Sequence, residues 1–211
     1  MDGHASARER MIVDQLEARG IRDARVIEAM RLTPRERFVD PSQASEAYVD
    51  HPMPIGRGQT ISQPYVVAWM AQTAAIEPGD RVLEIGAGSG YGAAVLSHLA
   101  ARVWSIERAP SLARRAGAVI AELGLANVTV LRGDGANGWP PAAPFEAIIV
   151  TAAAPKVPEA LRAQLAVGGR LIIPIGPADG PQRLVKIVRK TASTYEQEDI
   201  GAVAFVPLLE G

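Results

Sequence analysis

Apolar and polar positions follow two different rhythms along this chain. Up to about residue 40, apolar residues recur three and four apart, with Met11, Ile12 and Leu16 in one piece and Val26, Ile27 and Met30 in another. That is the spacing of short amphipathic helices. Gly20 is placed to stop the first and Asp23 to cap the next. Over residues 41–63 the helical period disappears and Pro52, Pro54, Gly56 and Gly58 crowd in. Tyr48, Val49, Met53 and Ile55 keep this stretch apolar enough to be ordered, so it reads as a functional loop of unusual length. A helix over 64–75, with proline at its first turn, closes the segment.

Beyond it the rhythm becomes that of alternating strands and helices. Apolar runs at 81–85, 102–107, 128–131, 145–151 and 170–175 predict strands, and the spacing predicts helices over 91–99, 110–123 and 158–165. Gly168 and Gly169 mark a turn after the last helix. Short apolar strands separated by helices predict a parallel sheet covered on both faces. Residues 183–190 and 194–208 read as two strands with no helix between them, hence an antiparallel close. The expected fold is α/β, a doubly wound, mostly parallel sheet of about seven strands. We expect one domain over 1–211: a helical extension (1–40), a loop (41–63) and an α/β core with its C-terminal strands (64–211).

Composition narrows the chemistry. Lys+Arg number 22 and Asp+Glu 23, a net charge of −1 that supplies no chain-wide attraction to nucleic acid or anionic membranes. In the first 40 residues the two signs are interspersed, Arg35 and Glu36 among them, which predicts a solvated helix face. There is no cysteine, so disulfides, thiolate nucleophiles and cysteine-based metal sites are excluded; with only His4, His51 and His98, no metal site is expected. The amino terminus lacks the apolar run of a secretory signal, and no stretch reaches the roughly 20 apolar residues that span a bilayer. A cytoplasmic monomer is expected.

The strand at 81–85 runs into Gly86, Ala87, Gly88, Ser89, Gly90 and Tyr91, small residues where a strand turns into a helix and a ligand approaches backbone. The spacing is G-x-G-x-G, and bulky Tyr91 stands where a dinucleotide fingerprint needs its third small residue. Glu107 ends the next strand, where a carboxylate can accept from two ribose hydroxyls. Asp134 follows the third strand, with Gly135 beside it, where a side-chain acceptor can meet an adenine amino group. Together they predict a nucleoside ligand.

The segments "AYVDHPMPIGRGQTISQPYVVAWM", "VLEIGAGSGYGAAVLSHLA", "VWSIER", "GDGANGWPPAAPFEAIIVTAAAPKVPEALRAQLAVGGRLIIPIG" and "FVPL" resemble the protein-L-isoaspartate O-methyltransferases over nearly the whole chain. The glycine loop alone resembles S-adenosylmethionine-dependent methyltransferases in general; "PIGRGQTIS" is far more specific. The resemblance implies S-adenosyl-L-methionine as cofactor and Ser62 as the active-site serine. It places Gln59, Thr60, Ile61, Ser62, Gly86, Glu107, Arg108, Asp134 and Gly135 around the cofactor, and position at the strand end and in the glycine loop adds Glu84, Gly88 and Gly90. It also implies a peptide-binding edge at Ile55, Val206 and Leu208, and isoaspartyl-containing peptides and proteins as substrates. Ala204 stands before "FVPL" where relatives often carry a polar or basic residue.

The implied reaction suits these residues. Its nucleophile is a substrate carboxylate, ionised at neutral pH with a pKa of about 4, so no general base is required. Two residues remain open on spacing alone. Ser62 reads as an N-cap of the following helix or as the donor that orients the substrate oxygen, and Glu84 as a partner for the cofactor's amino group or a solvated strand-end acid. His51 and His98 read as structural or surface residues, and Trp69 and Trp104 as core. A methyltransferase for small molecules or RNA, a non-catalytic cofactor-binding module and a nicotinamide dehydrogenase are the other classes considered. The first would show a basic or aromatic stripe, the second would lack an intact Ser62 loop, and the third would not carry Tyr91.

Overall fold

The computed structural model describes residues 3–209. Seven strands form one sheet in the order β5-β4-β3-β6-β7-β8-β9, with β3 (Arg81–Ile85), β4 (Arg102–Glu107), β5 (Val128–Arg132), β6 (Phe145–Val150), β7 (Leu165–Ile175), β8 (Gln182–Arg189) and β9 (Tyr195–Val203). The first five of these are mutually parallel, whereas β7–β8 and β8–β9 are antiparallel. The chain leaves β3 toward β4 and returns to its other side as β6, so the strand order reverses at the carboxyl end of β3. A crevice for a ligand opens at such a point.

Strand periodicity assigns the two faces. Val82, Val103, Ala147, Ile149 and Ile172 point to one side, where α3 (Pro64–Ala74), α4 (Tyr91–Ser97), α5 (Pro110–Glu122) and the N-terminal segment bury them. Leu83, Ile85, Ile106, Ile148 and Ile173 point to the other, covered by α6 (Glu159–Ala163) and by Trp104 and Trp139. The N-terminal segment comprises α1 (Gly3–Arg10), a π-helical turn Met11–Leu16, a 3-10 turn Glu17–Arg19 and α2 (Ala24–Leu32). Gly20 ends its first part at φ +91°, and the Asp23 carboxylate caps α2 by accepting from Arg25 N and Val26 N. Met11, Ile12, Leu16, Val26 and Met30 share one buried cluster with the sheet residues, which ties this segment to the core.

Four features differ from the sequence expectation. The 41–63 stretch is not an irregular loop: a 3-10 turn, Pro41–Glu46, leads into an antiparallel hairpin of β1 (Met53–Gly56) and β2 (Gln59–Ile61). Strands this short, one containing a proline, leave no readable alternation. Gly168 and Gly169 do not separate helix from strand, because β7 begins at Leu165 and runs through them with a register shift against β6. Residues 205–208 leave the last strand and cross the sheet's carboxyl end, where Pro207 bridges Ala153 and Leu208 N donates to Ala153 O (2.7 Å). Arg35 is not on a solvated face but fully buried. Among the described residues no helix is long and apolar enough to cross a membrane.

Candidate active site

The glycine loop follows β3 into the crevice. Gly86 N and Ala87 N donate to the Ile106 carbonyl of β4 (2.8 and 3.1 Å), and Gly86 takes φ +96°. The Thr151 hydroxyl, at the end of β6, donates to the Ile85 and Gly86 carbonyls (3.0 and 2.8 Å) and fills the space a Gly86 side chain would need. Gly135 is similarly closed off by the Ile85 side chain. The backbone therefore forms the wall of the crevice at these glycines.

Glu107 binds across the crevice. Its Oε2 accepts from Gly88 N and its Oε1 from Ala109 N, both at 2.8 Å. A carboxylate has about four acceptor sites, so after holding two loops it can still accept from two ligand hydroxyls. Glu84 is buried beneath the loop rather than solvated, and its carboxyl accepts from the Ser105 hydroxyl. Burial pushes its pKa up to about 8, with the nearby Glu107 charge adding to the effect. Asp134 caps the turn Gly135–Asn137 through Ala136 N (3.0 Å).

Three cavities meet at this end of the sheet. One, of about 300 Å³, is lined by Gln59, Gly86, Glu107, Arg108, Gly135 and Leu208. A narrower space of about 70 Å³ beneath the glycine loop is lined by Gln59, Thr60, Ile61, Ser62, Glu84, Gly86, Gly88, Glu107 and Val206. The largest, about 610 Å³, is lined by Ser62, Gln63, Tyr65, Trp69 and residues 202–207. Ser62, Thr60, Thr151 and Val206 belong to both the second and the third.

A family model described as protein-L-isoaspartate(D-aspartate) O-methyltransferase matches residues 7–211. The chain belongs to this family. A protein-L-isoaspartate O-methyltransferase of Methylorubrum extorquens is 56% identical over 207 residues, 98% of this chain and 90% of that one. Another, of Protochlamydia amoebophila, is 54% identical over 199 residues, 94% and 95% of the two chains. Among solved structures, a Plasmodium falciparum protein assigned to the same activity, in complex with S-adenosyl-L-homocysteine, superposes with a TM-score of 0.84. The identity there is 26%, and both chains are covered in full.

In this family member most residues expected around the cofactor converge on the two smaller cavities. Gly90 is instead buried against α5, where a side chain would meet Ala116 Cβ at 3.1 Å, and Asp134 lines none of the three cavities. The residues expected at the peptide edge separate. Val206 faces both the narrow and the largest cavity, Leu208 faces the Arg108 cavity, and Ile55 is buried with its Cδ1 3.3 Å from where a Gly88 side chain would begin. Ser62 does not cap α3: the N-cap is Gln63, and no side-chain cap bond forms.

Three residues enter the site without having been singled out for it. Thr151 locks the ends of β3 and β6, a role that a threonine after an apolar strand does not advertise. Trp69, expected in the core, lines the largest cavity, stacked on Tyr65 (centroids 5.8 Å apart, planes at 24°). Arg19 lies over the Tyr65 ring, 3.6 Å from its centroid, and pairs with Asp50 at 2.5 Å. The helical period of α3 marked Trp69 only as apolar.

Proposed function

We propose that this chain transfers the methyl group of S-adenosyl-L-methionine to the free carboxylate of L-isoaspartyl residues in damaged peptides and proteins. The resulting ester lets the residue close to a succinimide and reopen as L-aspartyl. The observation that carries the reading is the position of Ser62, on the wall between the space beneath the glycine loop and the 610 Å³ cavity. The two smaller cavities together suit the donor and the largest a stretch of peptide, and they meet at a hydroxyl.

The residues present fit the cofactor. At Gly86 and Gly135 the space a side chain would need is already taken by Thr151 and Ile85, so bare backbone lines the cavity; Glu107 offers acceptors for a ribose, and Glu84 is a carboxyl facing the narrow cavity where the amino group would lie. Gln59, Thr60, Ile61, Ser62, Gly88, Arg108 and Asp134 complete our assignment, with Gly90 setting the turn into α4. When bound, the cofactor supplies an already activated methyl group on a sulfonium.

The protein's own task is placement. The Ser62 hydroxyl donates to the substrate carboxylate and aims one oxygen, while α3, starting two residues later, presents the positive end of its dipole to the same charge. No proton need be removed, in keeping with the absence of histidine from the site. Alignment of this kind contributes roughly 7–11 kcal/mol to lowering a barrier. Val206, Tyr65 and Trp69 form the peptide walls, whereas Ile55, packed against the glycine loop, and Leu208, in the Arg108 cavity, stand on the donor's side. The shared buried cluster supports treating the chain as one domain. We assign it as a cytoplasmic monomer, and the near-neutral charge supports action on polypeptide rather than on nucleic acid or membrane.

The test offers labelled S-adenosylmethionine and paired peptides that differ only in aspartyl or isoaspartyl linkage. Label should enter the isoaspartyl peptide alone. Equal labelling of both, or of neither, overturns the reading.

A further inference from the structure

The N-terminal segment delivers a buried charge to the back of the Ser62 loop. Arg35 opens the 3-10 turn Arg35–Phe38 and is 0% exposed. Its Nε donates to the Ala47 carbonyl (2.7 Å) and its Nη2 to the Ser62 carbonyl (2.8 Å). The guanidinium lies 4.7 Å from the ring centroid of Tyr91, the first residue of α4 after the glycine loop. Among the described residues no carboxylate forms an ion pair with it, Asp50 acting on it only through space, and Nη1 has no hydrogen-bond partner there.

A buried, unpaired guanidinium is an expensive way to fill space, since apolar side chains of similar volume do it at least as well. What an apolar side chain cannot do is hold two carbonyls at a fixed separation while resting on an aromatic face, and the planar guanidinium does both. Its three contacts fall on the loop before the hairpin, on the residue that carries the hydroxyl, and on the helix that follows the cofactor loop. Tyr48 backs the arrangement: its hydroxyl accepts from Arg35 N (3.2 Å) and Arg8 Nε (2.8 Å) and donates to Glu36.

We propose that Arg35 is a positioning residue that fixes the Ser62 backbone against α4, and so sets the methyl acceptor's distance and angle to the donor. The inference rests on the function proposed above. It gives the N-terminal segment a share in the reaction.

The test compares Arg35→Lys and Arg35→Met with wild type in three measurements: steady-state kinetics on the isoaspartyl peptide, S-adenosylhomocysteine affinity by calorimetry, and amide hydrogen exchange with S-adenosylhomocysteine bound. A misplacement of about 1 Å can cost roughly a hundredfold in rate. We therefore expect kcat to fall at least about tenfold in both variants, with lysine restoring little because one ammonium cannot span both carbonyls. The ligand Kd should move less than about twofold, because Glu107 holds the glycine loop independently. Exchange should quicken over 61–67 and not over 82–85. Wild-type kcat and exchange in either variant, or kcat and ligand affinity falling together, overturns the proposal. So does failure of both variants to fold, since Arg35 would then serve the fold. The exchange measurement needs no methyl acceptor, so it judges Arg35 even if the isoaspartyl peptide proves not to be the substrate.

Discussion

The Glu84 carboxyl occupies the space that a side chain on Gly92 would need, Oε1 standing directly against the first turn of α4. Glu84 is held from its other side by Ser105 and cannot swing away freely. Gly92→Ala should therefore destabilise the protein by roughly 1–3 kcal/mol, the usual cost of overpacking, and weaken cofactor binding by disturbing the narrow cavity. Gly117, in the middle of α5, meets nothing within 4 Å of the same added atom. Gly117→Ala should stabilise by about 0.5–1 kcal/mol through helix propensity. Urea unfolding of the two variants checks both signs.

Burial of Glu84 also predicts a direction for stability against pH. Its folded pKa, about 8, lies above its ordinary value of 4.5, so the folded chain binds more protons than the unfolded chain between the two. Stability from this group is complete below pH 4.5 and is lost as pH rises toward and through 8. Glu84→Gln keeps an acceptor for Ser105 and removes the titration. The stability difference between variant and wild type, followed by urea unfolding, should shift in the variant's favour as pH rises from about 5 to 8. A constant difference would mean that Glu84 is solvated in solution.

Cofactor binding should reverse that burial effect. An ammonium placed beside Glu84 favours its ionised form, so at pH 7 the carboxyl should give up about one proton as S-adenosylhomocysteine binds. Calorimetry in two buffers of different ionisation enthalpy measures the release. Wild type should show it, and Glu84→Gln should lose that contribution.

What could be read from the sequence was whatever depended on periodicity or on one strong local cue. The strand at 81–85 was found to the residue, as were Gly20 as a stop and Asp23 as a cap, and the "PIGRGQTIS" stretch was marked by its composition before any resemblance. What could not be read depended on partners distant in sequence. Arg35 sits among alternating charges that suggest a wet surface, yet it is buried by Ala47, Ser62 and Tyr91, residues 12, 27 and 56 positions away. Residues 205–208 have strand-like composition, but at the carboxyl end of the sheet Phe205 N donates instead to the Gln182 side chain (2.7 Å) and Pro207 meets Ala153. The hairpin failed for a different reason, too few residues per strand to display a period.

The separation of Trp69 from Leu208 predicts opposite responses at the two cavities. Trp69→Leu removes the stacked wall of the 610 Å³ cavity and should raise KM for the isoaspartyl peptide about five- to tenfold. That corresponds to roughly 1 kcal/mol of lost aromatic contact. The Kd for S-adenosylhomocysteine should change less than about twofold. Leu208→Ser, beside Arg108 and Glu107, should do the reverse. Matching responses from both variants would show that the cavities do not divide between donor and acceptor.

Ser62→Ala is the sharpest single substitution, because the fold makes little use of the hydroxyl. The backbone of Ser62 is anchored through its carbonyl by Arg35, α3 takes Gln63 as its N-cap, and no side-chain cap bond is broken by removing Oγ. Stability should therefore change by less than about 0.5 kcal/mol, as for a substitution away from buried features. A hydrogen bond to a charged oxygen contributes roughly 1.5–3 kcal/mol, so kcat/KM for the isoaspartyl peptide should drop about ten- to a hundredfold. Cofactor affinity should stay within about twofold, since the backbone of 59–62 still lines the narrow cavity. Loss of kcat/KM and cofactor affinity in equal measure would show instead that the serine holds the shape of the pocket, and the hydroxyl would then have no part in orienting the carboxylate.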